Sequence, residues 1–150
     1  MGPIMDEIGL EQGGKNSTSL WKLYNNEQLE VPQQTDFGVP IANANVLVAS
    51  IGQADDCVLL SSDLHKLKFL LLLTLQYCEK YRVELSPGKT KLQLYTPPGL
   101  TLYRKYLTAV TSLQLDGTPI EVIVDTEHVG IVCSVDGNLP HLLQRITSHN

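Results

Sequence analysis

The chain of 150 residues is short of several things at once. It has three cysteines, two phenylalanines, one tryptophan and only 18% charged residues, among which Lys and Arg number 11 against 16 Asp and Glu. A net charge of −5 argues against a protein that coats nucleic acid by bulk positive charge, so any nucleic-acid role has to rest on a local site. The longest apolar run is Phe69 followed by Leu70, Leu71, Leu72 and Leu73, far short of the ~18 residues of a membrane span. Asp6 and Glu7 stand where a signal peptide needs a basic flank, so neither a membrane anchor nor secretion is expected. Cys57, Cys78 and Cys133 are odd in number and widely spaced, which suits reduced intracellular thiols better than a disulfide framework or a zinc site. His65, His128, His141 and His149 show no ligand spacing either.

What is present is enough apolar residue, 43%, for one globular core. A glycine-rich opening at Gly9, Gly13 and Gly14 leads into the helix-start residues Asn16, Ser17 and Thr18, and a helix of about three turns is expected there. The stretch 25–40, with Pro32, Gly38 and Pro40 among Gln and Asn, has loop composition. Two β-rich runs, 45–51 and 57–61, flank Gly52, Gln53, Ala54, Asp55 and Asp56 and predict a hairpin with an acidic turn. Leu64, Leu67, Leu71, Leu75 and Cys78 recur at helical intervals behind the capping residues Ser62 and Asp63, predicting a helix over 63–81. A short strand at 91–95 follows, then an ambiguous stretch at 100–110. Residues 112–115 and 119–124 predict a second hairpin around Asp116 and Gly117, with a further strand at 129–135 and a helix at 139–149. The predicted fold class is α+β, an antiparallel sheet around the Asp55–Asp56 hairpin with packed helices and long loops at 25–44 and 96–111.

The adjacent carboxylates Asp55 and Asp56 carry the most chemical weight. Magnesium takes oxygen ligands, and two-metal phosphoryl transfer needs carboxylates flanking ions roughly 3.5 to 4 Å apart. Asp is also simply a common turn residue. A basic centre accompanies the turn: 64–105 carries eight Lys and Arg against two Glu, a balance of +6, while the rest of the chain sums to −11. Such a centre suits a phosphate backbone, and it equally suits the solvated faces of a helix and a strand. Pro87-Gly88-Lys89-Thr90 imitates the end of a phosphate-binding P-loop, but the motif needs Gly six residues before the Lys and position 83 is Val. Trp21 and Tyr24 are expected in the core rather than as a base-stacking platform.

Three motifs occur in a fixed order: Gly9-Leu10-Glu11-Gln12-Gly13 with Ser17, then Ile51-Gly52-Gln53-Ala54-Asp55-Asp56, then Leu85-Ser86-Pro87-Gly88-Lys89-Thr90-Lys91. The order resembles the reverse transcriptase palm of non-LTR, LINE-like retroelements, where a Gln-Gly loop and helix precede the Ala-Asp-Asp hairpin and a Lys-Thr turn follows it. The resemblance covers about 9–95, a partial polymerase palm, with 96–150 as a connection hairpin and C-terminal helix. It implies RNA-directed DNA polymerisation, with Asp55 and Asp56 as catalytic magnesium ligands and Lys89 facing the triphosphate. Gln12, Gly13, Ser17 and Lys91 would lie at the nucleotide and template. The implied cofactor is Mg2+, and the implied partners are an RNA template, a DNA primer and a dNTP. The sequence departs from the family's pattern at Gln53, where an aromatic residue is usual, and at Thr18, where proline is.

In that family another metal-binding aspartate lies on a strand before the Gln-Gly loop, and Asp6 and Glu7 are too near the loop to replace it. The expectation is therefore a palm fragment that does not polymerise alone and whose partner would be an N-terminal polymerase half. The alternative is a non-catalytic remnant that binds nucleic acid or protein.

Overall fold

Asn16 opens α1 (Ser17–Gln33) without a side-chain cap bond. In the computed structural model the described residues are 16–42, 44–53, 55–96, 100–110, 112–128 and 131–135. They divide into two units, 1–84 and 85–150.

In the first unit, α1 runs well past the three turns expected and takes in most of the stretch whose composition suggested a loop. Proline lacks an N–H and disturbs the turn before it, and Pro32 lies inside the last turn of α1, so packing has to offset its cost. Tertiary contacts favour the extension. Asn25, Gln28 and Pro32, spaced along one helix face, are all buried. Beyond the helix, Gln34 N donates to Glu30 O at 3.0 Å and Thr35 N to Pro32 O at 3.1 Å, closing the last turn.

Next, β1 (Val39–Pro40) pairs antiparallel with β2 (Leu47–Val48), Val39 opposite Val48. The Gln33 side chain reaches this ribbon from the end of α1. Its Nε2 donates to Leu47 O, and its Oε1 accepts from Ala49 N at 3.0 Å. β3 (Ser50–Gln53) and β4 (Asp56–Leu59) form the expected acidic hairpin, in a register from Ser50 opposite Leu59 to Gln53 opposite Asp56. Leu60 N donates to Ala49 O at 2.9 Å and carries the pairing one step further.

α2 (Leu64–Tyr81) begins at the predicted cap: Asp63 accepts from His65 N at 2.7 Å and from Lys66 N at 3.1 Å. It ends at Arg82, which adopts the left-handed conformation (φ 55°). Its buried residues are Leu70, Thr74, Tyr77 and Cys78, whereas Leu64, Leu67, Leu71 and Leu75 are only half-buried. The inward face is thus turned from the leucine stripe that periodicity singles out, because a helix so rich in leucine has apolar residues on more than one side. Phe69 meets Phe37 edge-on, with centroids 5.5 Å apart, and Lys66 Nζ stands 5.5 Å over the Phe37 ring.

In the second unit, β5 (Lys91–Gln93) is followed by α3 (Thr101–Val110), which settles the ambiguous stretch as helix and shortens the expected loop. β6 (Gln114–Leu115) and β7 (Thr118–Pro119) form the second hairpin. Asp116 (φ 49°) and Gly117 (φ 76°) give its turn the two positive φ angles that match strand twist. The predicted strand 119–124 divides at Ile120. Ile120 N still bonds to Leu113 O at 2.8 Å, whereas β8 (Glu121–Ile123) leaves the hairpin and pairs with β5.

That pairing is parallel, Lys91 opposite Glu121, which corrects the expectation of a wholly antiparallel sheet. A parallel pair needs a long crossover, and the segment holding α3, β6 and β7 supplies it. β9 (Asp125–His128) and β10 (Ile131–Ser134) form a last antiparallel pair. Leu92, Leu113, Leu115, Ile120 and Val135 are buried here.

The architecture is α+β, in which helices accompany small two-stranded pairs instead of the single sheet expected. The helix expected at 139–149 lies outside the described residues.

Candidate functional site

The acidic hairpin owes its position to one face. Ser50 and Gly52 on β3, with Cys57 and Leu59 opposite them, alternate onto the side that meets α1. Ser50 Oγ donates to Leu29 O at 2.7 Å, and Leu29 fills the space beside Gly52. The other face carries Ile51, Asp56 and Val58 by the same alternation.

The turn is narrower than the five residues 52–56 expected, since Gly52, Gln53 and Asp56 all belong to the strands. The neighbouring carboxylates therefore occupy different settings. Asp55 sits in the turn and Asp56 opens β4 opposite Gln53, both exposed. Each offers the hard oxygen donors that suit magnesium, and both are open to approach from solvent. Among the described residues no group of three or more His, Cys, Asp or Glu converges on one point.

Lys89 lies in a single turn folded onto one carbonyl. Ser86 O accepts from Lys89 N at 3.2 Å, from Thr90 N at 2.9 Å and from Thr90 Oγ1 at 2.8 Å. Its side chain is exposed. Lys91, two residues on, bonds to the Glu121 carboxylate at 2.6 Å across the β5–β8 pair. Asp55 and Asp56 belong to the first unit, Lys89 and Lys91 to the second. Ser17 is the first residue of α1, and Gln12 and Gly13 lie outside the described residues. Trp21, expected in the core, is half-buried.

Two charged groupings among the described residues have no signature in the sequence. Besides Glu121 with Lys91, the Glu27 carboxylate on α1 accepts from Lys80 Nζ at 2.7 Å and from Tyr81 Oη, both at the end of α2. These bonds, that of Lys80 foremost, hold the Glu27 carboxyl below its ordinary range, and the same bond raises Lys80. The partners lie over fifty residues apart, and no local pattern in the sequence joins them.

Cys57 and Cys78 are free thiols. Burial, and then the neighbouring Cys78, push the Cys57 thiol up to about 11, and burial raises Cys78 as well. Nucleophilic cysteines need the opposite shift, toward thiolate at neutral pH, so these two suit packing rather than catalysis.

No helix among the described residues is long and apolar enough to cross a membrane. The chain matches no known protein family, no curated protein and no solved structure.

Proposed function

We propose that the chain is part of a reverse transcriptase palm, contributing the acidic hairpin of a magnesium-dependent nucleotidyl transferase. The observation that supports this reading is the β3–β4 hairpin. Asp55 lies in the turn and Asp56 begins the returning strand, with α1 before the hairpin and α2 after it. The order helix, acidic hairpin, helix is the one the resemblance implies.

Asp55 and Asp56 would hold the metal. Bound magnesium supplies charge neutralisation for the transferring phosphate and an activated attacking oxygen. Lys89 would offset charge on the departing pyrophosphate, and Gln12, Gly13 and Ser17 would position the nucleotide. Lys91 would reach template phosphate only after leaving Glu121. A two-metal arrangement needs at least one carboxylate beyond these two, supplied from outside this hairpin.

The test is titration of the chain with Mn2+, a paramagnetic stand-in for magnesium, followed by NMR. The expected result is broadening centred on Gln53 to Cys57 that Mg2+ competes away and that Asp55→Ala with Asp56→Ala removes. Broadening that ignores both substitutions counts against the reading.

A further inference from the structure

The turn at 86–90 bears a feature that the proposed function does not use. Ser86 is exposed, and only its carbonyl is engaged in the turn. Its hydroxyl makes no hydrogen bond among the described residues. Pro87 follows it directly, and the exposed Lys89 stands at the third position beyond, without an ion pair among the described residues. Residues 83–86 belong to no helix or strand, so the chain leading to the hydroxyl is not tied into a ladder.

From this arrangement we infer that Ser86 is a phosphorylation site for a proline-directed protein kinase and that the added phosphate is held by Lys89. Proline after the acceptor has no N–H to leave unsatisfied in an apolar pocket, and a lysine three positions on can pair with a carboxylate or phosphate of the enzyme. The chain has two other Thr-Pro steps. Thr118 is engaged in the β6–β7 hairpin and has Glu121 at the third position, and Thr96 has Gly99 there. Ser86 alone combines the proline, the cation and an exposed hydroxyl. The inference holds whether or not the chain belongs to a polymerase.

In the reaction, Ser86 Oγ forms a bond to the γ-phosphorus of ATP as the bridging P–O bond to the β-phosphate breaks. ADP leaves with that electron pair, and the hydroxyl proton passes to the kinase's base. Because the turn rests on bonds to a single exposed carbonyl, opening it for the kinase is a local event. Once modified, position 86 carries about −1.5 to −2 charges, and the Lys89 N to Ser86 O bond keeps residue 89 alongside.

The experiment is incubation of the whole chain with a proline-directed kinase and ATP, with site mapping by mass spectrometry. One phosphoryl group is expected on Ser86, and none with Ser86→Ala. Pro87→Ala should slow the transfer about tenfold or more, the factor that one unsatisfied buried donor carries. Phosphorus NMR then reads the phosphate directly: its second ionisation should come at lower pH in the parent chain than in Lys89→Ala. Failure to modify Ser86, modification of Thr96 or Thr118 in its place, or indifference to Pro87→Ala overturns the site. Identical titration with and without Lys89 overturns the role of the lysine.

Discussion

Gly38 lies directly against the backbone of Val48: a Cβ built at Gly38 would stand 2.6 Å from the Val48 carbonyl carbon and 2.7 Å from its oxygen. Peptide atoms already paired in the β1–β2 ribbon cannot rotate aside, so position 38 excludes every side chain for reasons of space. Gly52 differs in one respect. Its imagined Cβ meets Leu29 Cδ1 at 2.6 Å, but that is the end of a side chain that can change rotamer.

The two glycines should therefore respond unequally to alanine. Overpacking costs about 1 to 3 kcal/mol. Gly38→Ala is expected at or above the top of that range and Gly52→Ala near the bottom, as measured by urea denaturation. Gly52→Ala combined with Leu29→Ala should recover part of the clash energy, whereas shortening Val48 should leave Gly38→Ala unrescued.

Asp63 makes the start of α2 sensitive to acid. The bonds from Lys66 N and His65 N hold its carboxyl below the ordinary value. Their contribution is complete above the carboxyl's unfolded value and is lost as pH falls through the folded one. Thermal melts of Asp63→Asn, which keeps a capping oxygen, should lose this part of the acid dependence, and Asp63→Ala should melt lower throughout the neutral range.

Lys91 can serve a phosphate only at the expense of Glu121. The pair is partly exposed, at 34% and 65% of the side chains, and is worth about 0.2 to 1 kcal/mol. Glu121→Gln should thus cost little stability. On the proposed palm reading it should also tighten binding of a primer-template duplex at low salt and steepen the salt dependence by about one unit. Unchanged binding would remove Lys91 from the phosphate contacts.

With its thiol pushed up to about 11, Cys57 should be almost wholly protonated at neutral pH. In a Cys133→Ser background, iodoacetamide should label Cys57 and Cys78 much more slowly in the native chain than in urea. Labelling Cys57 in the folded chain should accelerate only as the solution becomes strongly alkaline.

The parts of the fold that local rules govern were legible in the sequence. Asp63 before a leucine-rich run marks the start of α2, and Asp116-Gly117 marks a tight hairpin. Asp55 and Asp56 stood out as a turn between two apolar runs. What sequence could not show depends on distant partners. Pro32 and a polar composition suggest a loop, yet the helix continues through Asn25 and Gln28 because both are buried. The β5–β8 pair joins residues thirty positions apart, and neither strand carries a local sign of being parallel. The division of the Asp55–Asp56 hairpin into one turn and one strand residue depends on a register set by Gly52 against Leu29.

The grip of Gln33 on Leu47 O and Ala49 N has a consequence for self-association. Both atoms belong to the side of the strand turned away from β1 by alternation, the side on which Leu60 reaches Ala49 O. There the amide of Gln33, giving one N–H and its carbonyl oxygen, does what the next strand's peptide group would do. A helix end thus finishes an edge that would otherwise invite a strand from another molecule.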